Sequence, residues 1–464
     1  VTVTDAGEEA TTGLSGELRS WIEQCAGARL VAADRRPGGG RHEAWTVDVE
    51  SADGGVRPLF LRYDRSDPAD TGDPFTLHRE AAFYRALQGT AVPVPEILGV
   101  HPTEQAVLST RVPGETWFSR LKDEGLRHSV ASDFMRILAA LHAVDPHRLA
   151  VSGQDPDASL SELLSREIDT WEALYRHGDT PPHALVEFGF AWLRRHAPQT
   201  DDAPVIVQGD TGPGNFLYGD GRVTAVLDWE LAHLGDPHDD LGWLALRAVQ
   251  EPFTDLAARI ADYEAASGRR VDYDRLRYYR VFAELRVVVL SYRGRLEQNL
   301  LGEVGNALIY GALHDRLLVE ALADALGVEP EAPPELSGEP TDRTWVYDAA
   351  LAQIREVIVP RSTDPFAVLR SKGLARLLKY LQQADVYAPA AEAQELDDLA
   401  TLLGTRPATL AEGRRLFAEA VVAGTLEEQA ALRQFSRDVA RRTRLVRPAM
   451  GALADRHFDP LPRR

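Results

Sequence analysis

Residues 205–230 read VIVQGDTGPGNFLYGDGRVTAVLDWE, and this segment constrains the fold more than any other. Its apolar runs are too short for helices, and Gly-, Pro- and Asp-rich links separate them, so they read as short strands. The surrounding sequence has a different period. FMRILAALHAV and LSELLSREIDTWEALY before it, and LRYYRVFAELRVVVLSY at 276–292 after it, repeat their apolar residues near every 3.6 positions, which predicts helices. The chain must therefore set a strand–loop–strand unit into a mainly helical region. Asp210 and Asn215 fall on the loop after the first strand, and Asp228 ends the last one. Gly212, Pro213 and Gly214 also make Asp210 and Asn215 plausible turn formers. A D-x₄-N followed by a strand ending in Asp-Trp-Glu is more specific than a turn requires.

That spacing suits phosphoryl transfer from ATP. Asp210 is placed to orient an acceptor hydroxyl and take its proton. The Asn215 amide oxygen and the Asp228 carboxylate can hold Mg²⁺ against the phosphates. These hard oxygen ligands suit Mg²⁺ and not zinc. The N-terminal part supplies what such a site needs. RRPGGGRHEAWTVDV at 35–49 is a glycine loop running into an alternating strand, and Asp53-Gly54-Gly55 signals a hairpin. Pro58–Tyr63 reads as the returning strand, LHREAAFYRALQ as a helix, and Ala106-Val107-Leu108 as a further strand. Gly38, Gly39 and Gly40 are placed to fold over phosphates, or to form a flexible turn.

A basic residue on the third strand is also required, normally a lysine. The chain has 51 Lys+Arg, and only Lys122, Lys372 and Lys379 are lysine. None follows a glycine, so a Walker A loop is excluded. None precedes residue 122, so an arginine must serve, and Arg62 in FLRYD is in place. Glu80, on the following helix, is its expected ion-pair partner. Arginine grips phosphate oxygens as a fork, unlike lysine. Arg62→Ala is therefore expected to impair ATP use more than folding. Thr110 and Val112, in Ser109-Thr110-Arg111-Val112, would join the two lobes and offer backbone groups to adenine.

These segments, with REAAFYRALQGTAVPVPEIL, STRVPGET and AVLDWELAHLGDPHDDLGWLALR, make the chain similar to the aminoglycoside phosphotransferase (choline-kinase-like) family. It looks closest to the branch related to the kinase domain of acyl-CoA-dehydrogenase-linked proteins. The resemblance spans roughly residues 14–325. It implies an α+β, two-lobed protein-kinase-like fold: an antiparallel-sheet N-lobe at 14–112 and a mainly helical C-lobe at 113–328. It implies an ATP- and Mg²⁺-dependent kinase of a small-molecule hydroxyl, with Asp236 and Asp240 bracing the site. The family usually has His-Gly-Asp where this chain has Gln208-Gly209-Asp210.

A proline- and glutamate-rich stretch at 329–340 reads as a linker. Beyond it, residues 341–464 form a further all-α region with 19 basic and 16 acidic residues, against 32 and 55 before it. This region resembles the small helical partner of hydroxyacyl-CoA kinases. Its alternative use is a bundle for stability or for a homodimer. Arg437, Arg441, Arg442, Arg444 and Arg447 there form either an anion site or a solvated helix face. Tyr278, Tyr279 and Arg286 line an acceptor pocket or belong to the core, and His233 and His238 are expected to be structural.

The net charge of −20 argues against nucleic acid and anionic membranes as partners. The single cysteine, Cys25, excludes an internal disulfide and favours a reducing, cytoplasmic setting. No signal peptide or membrane span is read. The expected acceptor is a hydroxyacyl-CoA or other catabolic alcohol. An aminoglycoside is the alternative within the same chemistry, and an ATP-binding pseudokinase or scaffold is the alternative outside it.

Overall fold

Alternation builds the first sheet. In Glu43–Glu50 (β2) the side chains of Trp45, Val47 and Val49 are buried and those between them are less so. In Val56–Asp64 (β3), Leu59 and Leu61 are buried. The two strands pair antiparallel with Trp45 opposite Leu61 and Val47 opposite Leu59. Gly54 closes the turn with φ +82°, a conformation that favours glycine, and its N–H donates to the Ser51 carbonyl. With Arg29–Arg35 (β1), Ile97–Val100 (β4) and Gln105–Thr110 (β5), the sheet has the order β1-β2-β3-β5-β4. This computed structural model describes residues 13–36, 42–66, 68, 72–178, 180–297, 299–300 and 302–463. Gly38, Gly39 and Gly40 lie outside the described residues.

Helix Gly16–Ala26 covers one face of the sheet, seating Leu18 and Ile22 on Val47, Val49, Leu59, Leu61 and Leu108. Ser15 caps it by accepting from the Leu18 N–H. Helix Leu77–Leu87, capped by Thr76, seats Leu77 and Ala81 against Val107. Val107 lies opposite Arg62 in the strand register, so Arg62 shares its face, away from Leu59 and Leu61. The sequence pattern does not reveal β1 and β4. Only Ala33 is buried in β1, β4 has four residues, and both carry a register shift, so neither alternates.

The chain forms two compact units, Val1–Leu164 with Thr200–Val271 and Ser165–Gln199 with Asp272–Arg464. The first holds the sheet, helix Glu124–Leu141 and two small antiparallel pairs. Val205–Val207 (β6) pairs with His233–Gly235 (β9), and Phe216–Gly219 (β7) pairs with Arg222–Val226 (β8). The strand–loop–strand reading of 205–230 holds, and β9 adds to it. Helix Pro237–Gln250 then starts on an Asp236 cap with proline at its first position.

The second unit is helical. Val304–Leu326 packs against Tyr273–Leu296, Glu428–Met450 and Pro365–Leu403. Residues 329–340 carry no helix or strand. The arginines at 437–447 are divided between buried and solvated positions: Arg441 is buried, while the side chains of Arg442 and Arg447 are 44% and 50% exposed. Arg437 pairs with Glu331 and Asp398, Arg441 with Asp398 and Asp438, and Arg447 with Asp455. Arg444 donates to Gln383, and Arg442 lies 3.6 Å from Asp315. The last residues are held by buried arginines. Arg277 donates to the carbonyls of Leu461 and Pro462, and Arg316 to those of Ala454 and Arg456. No helix of the described residues is long and apolar enough to cross a membrane.

Candidate functional site

Arg62, Glu80, Asp210, Asn215 and Asp228 all lie in the first unit. Arg62 leaves the end of β3 on the face against which helix Leu77–Leu87 packs. Its Nη1 donates to Glu80 Oε1 and to Asp228 Oδ1, both at 2.9 Å, and its Nη2 to Glu230 Oε2 at 3.3 Å. Glu80 is 2% exposed and also accepts the Trp229 N–H at 3.3 Å. Asp228 sits at φ +60°, uncommon for a residue with a side chain. Two neighbours hold it there. Its N–H donates to the Tyr84 hydroxyl at 3.2 Å, and its carbonyl accepts from Gln208 Nε2 at 2.7 Å.

Asp210 heads a second cluster. Asn215 Nδ2 donates to the Asp210 carbonyl at 2.8 Å and to its Oδ2 at 2.7 Å. Arg247, on helix Pro237–Gln250, grips the same carboxylate. Its Nε donates to Oδ1 at 2.7 Å and its Nη2 to Oδ2. Gln208 joins the two clusters. Its Nε2 donates to the carbonyls of Leu227 and Asp228, and its Oε1 accepts the Asp210 N–H at 2.9 Å. The Thr211 hydroxyl lies between Gln208 Oε1 and Asp240 Oδ1.

Asp240 braces the loop, as the sequence suggested. It accepts the N–H groups of Gln208 and Gly209 at 3.1 and 3.0 Å, and His142 Nε2 lies 2.9 Å from it. Gly209 is required for this path. It has φ +80°, and a Cβ there would lie 2.3 Å from the Leu231 carbonyl oxygen.

The electrostatics separate the carboxylates. Burial works to raise Asp228, but the charge and hydrogen bond of Arg62, with Arg247 and His42, together hold the group below the usual carboxylate range. Burial lifts Glu80 to about 7, against the pull of Arg62. Burial also raises Asp210, against Arg247. Burial opposes the charge on Arg62, yet its carboxylate neighbours hold its pKa well above the ordinary value. Asn215 directs its amide N–H groups at Asp210, which leaves its Oδ1 as an oxygen ligand. Arg62 takes Asp228 Oδ1 and leaves Oδ2. Two hard oxygens beside a surplus of carboxylate fit a magnesium ion.

Thr110 ends β5, where its N–H donates to the Glu96 carbonyl and its Oγ1 accepts the Glu96 N–H. Val112, two residues on, has no backbone hydrogen bond among the described residues. His233 and His238 are structural. His233 Nε2 meets Asp239 at 3.1 Å, and His238 Nδ1 meets Asp236 at 2.7 Å. In the second unit Tyr278 stacks on Trp192, Tyr279 meets Tyr278 edge-on, and Arg286 lies over Phe282. All three are buried core residues.

Sequence reasoning missed Arg247, Glu230, Tyr84 and the bridging role of Gln208. Glu230 stands in the Asp-Trp-Glu already quoted. For Arg247, inside LGWLALR, the sequence gives no signal.

A sequence profile described as the phosphotransferase enzyme family matches residues 35–279. Mouse acyl-CoA dehydrogenase family member 10 is 28% identical over 206 residues, which are 41% of this chain and 18% of that protein. Human acyl-CoA dehydrogenase family member 11 is 28% identical over 185 residues, 37% of this chain and 23% of that one. The chain thus spans less than a quarter of the length of these relatives. Among solved structures, a thermostable mutant of aminoglycoside phosphotransferase APH(4)-Ia, in ternary complex with ADP and hygromycin B, aligns at 20% identity. That match has TM-score 0.44 and covers 61% of this chain and 93% of that one. Macrolide 2'-phosphotransferase MphH from Brachybacterium faecium aligns at 21% identity and TM-score 0.43, covering 62% and 95%.

Proposed function

The chain belongs to the phosphotransferase enzyme family, and from that premise we propose that it moves the γ-phosphate of ATP, with Mg²⁺, onto a hydroxyl of a small molecule. One observation carries this. Arg62 pairs with Glu80 and Asp228, Asn215 with Asp210, and Gln208 hydrogen-bonds to both groups. Asn215 Oδ1 and Asp228 would hold the magnesium ion, which neutralises phosphate charge when bound. Arg62, steadied by Glu80 and Glu230, offers guanidinium N–H groups to phosphate oxygens. Asp210 orients the acceptor hydroxyl and receives its proton. The backbone of Thr110–Val112 is proposed for adenine, and Gly38, Gly39 and Gly40 for the phosphate cover.

For the acceptor we favour a hydroxyacyl-CoA or another catabolic alcohol. Support comes from the names of the curated relatives, which are acyl-CoA dehydrogenase family members. The acidic stretch 1–340 favours a cationic aminoglycoside as the second choice. Cytoplasmic location and a homodimer through residues 341–464 remain part of the proposal.

The test is a panel of hydroxyacyl-CoAs and aminoglycosides with γ-labelled ATP. Label should pass to one class with the unaltered protein, and Asp210→Asn should lower that transfer roughly 10²–10⁴-fold. Unchanged transfer by Asp210→Asn would sink the mechanism. Growth inhibition of expressing cells by aminoglycosides separates the two acceptor classes.

A further inference from the structure

We infer that Arg247 is the positioning residue of the acceptor base, leaving Asp210 a single open seat for the incoming hydroxyl. The inference rests on the proposed role of Asp210 and adds a residue that no motif marks. Its basis is a count of lone pairs. An ionised carboxylate has about four acceptor positions in its plane. On Asp210, Oδ2 accepts from Arg247 Nη2 and from Asn215 Nδ2, and Oδ1 accepts from Arg247 Nε. Among the described residues one position remains, on Oδ1. The Asp210 side chain keeps 15% exposure.

A lone aspartate cannot hold such a seat, because its terminal torsion is broad. The fork fixes it. A guanidinium presents two parallel N–H groups to both carboxylate oxygens and sets the carboxylate plane. A lysine would supply charge without that plane. The backbone makes room for the fork. Gly212 has φ +144°, and a Cβ there would lie 2.6 Å from Arg247 Cβ. Gln208 fixes the Asp210 N–H from the other side. Backbone and carboxylate are thus held independently.

In the reaction the acceptor oxygen forms the new P–O bond as its O–H bond breaks. The proton passes to Asp210 Oδ1. The bond from phosphorus to the bridging oxygen of ATP breaks, and ADP leaves with that electron pair. Arg247 neither gains nor loses a proton. It determines where the receiving lone pair points.

The test uses the full chain with Mg·ATP and water as the acceptor, comparing Arg247→Lys, Arg247→Gln, Arg247→Ala and Asp210→Asn. For Arg247→Lys and Arg247→Gln we expect kcat to fall about 10–100-fold, the scale of a small misplacement of a reacting group. KM for ATP should stay within about threefold of the unaltered value on the same ground. Ethylguanidinium should raise the kcat of Arg247→Ala at least about fivefold by restoring the fork, and leave Asp210→Asn unchanged. Melting curves establish that each variant is folded, and Arg247→Lys, which keeps stem and charge, carries the test if the others are not. A folded Arg247→Lys with kcat within about twofold of the unaltered protein, or a raised KM at constant kcat, overturns the role of Arg247. Asp210→Asn then still reports on the base itself. Full hydrolysis by Asp210→Asn would instead remove the base, and this inference with it.

Discussion

Gln208→Leu tests whether the two clusters are one device. Gln208 is 1% exposed, and its amide makes bonds that an apolar side chain of similar size cannot replace. Substitution removes the donor to the carbonyls of Leu227 and Asp228 and the acceptor of the Asp210 N–H. Each buried backbone group left without its partner costs about 1–3 kcal/mol. Three such groups amount to about 3–9 kcal/mol, and a modest gain from burying leucine leaves an expected loss of about 2–7 kcal/mol. Gln208→His restores the residue usual in the family. An imidazole has one donor and one acceptor in its neutral form, so it serves about half of the bonds and should cost about 1–2 kcal/mol. The assay is urea denaturation combined with amide exchange of peptides covering 205–230. The glutamine also holds Asp228 at its positive φ, so exchange in this segment should accelerate before the global transition. A midpoint within about 0.5 kcal/mol of the unaltered protein, together with unchanged protection of these peptides, would refute the idea that Gln208 couples the Asp210 loop to the segment carrying Asp228.

Other outcomes follow from the same structure. Arg62→Ala leaves the buried Glu80 beside Asp228 and Glu230 without their guanidinium, so it should cost about 3–5 kcal/mol in a denaturation assay as well as ATP use. Asp438 is raised to about 6 by burial and by Glu395, against Arg442 and Arg441. The folded state therefore holds its proton more tightly than the unfolded one. The stability this confers is complete below about pH 4 and is lost as pH rises through about 6. Asp438→Asn should gain about 2–3 kcal/mol relative to the unaltered protein between pH 4 and pH 7.5, read from paired melts. A chain ending at Gly451 leaves Arg277 and Arg316 without the carbonyls they serve, and should lower the stability of the second unit by about 3 kcal/mol or more. An unchanged melting profile would show those bonds to be dispensable.

The parts that the sequence discloses are those where one residue type at one spacing has a single physical use. The alternation of Trp45, Val47 and Val49 marks its strand, and the five-residue step from Asp210 to Asn215 brings a carboxylate and an amide into direct contact. Hidden features come from long-range packing. β1 exists because β2 pairs with it, not because its own residues alternate. Arg247 is 37 positions from the carboxylate it grips, and nothing local distinguishes it from other helical arginines. Gln208 looks like a departure from a motif until its amide is seen spanning two loops. The arginines at 437–447 share one stretch of sequence but not one environment: Arg437 and Arg441 are tied up by acids from several segments, while Arg442 and Arg447 stay exposed.

Arginine in place of lysine on the third strand has a consequence that composition alone does not show. A lysine has one nitrogen, whereas Arg62 spreads its contacts over two, with Glu80 and Asp228 on Nη1 and Glu230 on Nη2. The expectation that Arg62→Ala would impair ATP use far more than folding treats the residue as a phosphate ligand only. The structure makes it also the counter-charge of three carboxylates, so stability and ATP use must fall together. Arg62→Lys separates the two roles. The ammonium can remain near Glu80 and Asp228, but it cannot also reach Glu230 in the same plane. Folding should then survive nearly intact, with loss below about 1.5 kcal/mol, while KM for ATP rises. Equal loss of stability in Arg62→Lys and Arg62→Ala would mean that the Glu230 contact, and not the charge near Glu80, holds this part of the sheet to the segment after β8 that carries Asp228.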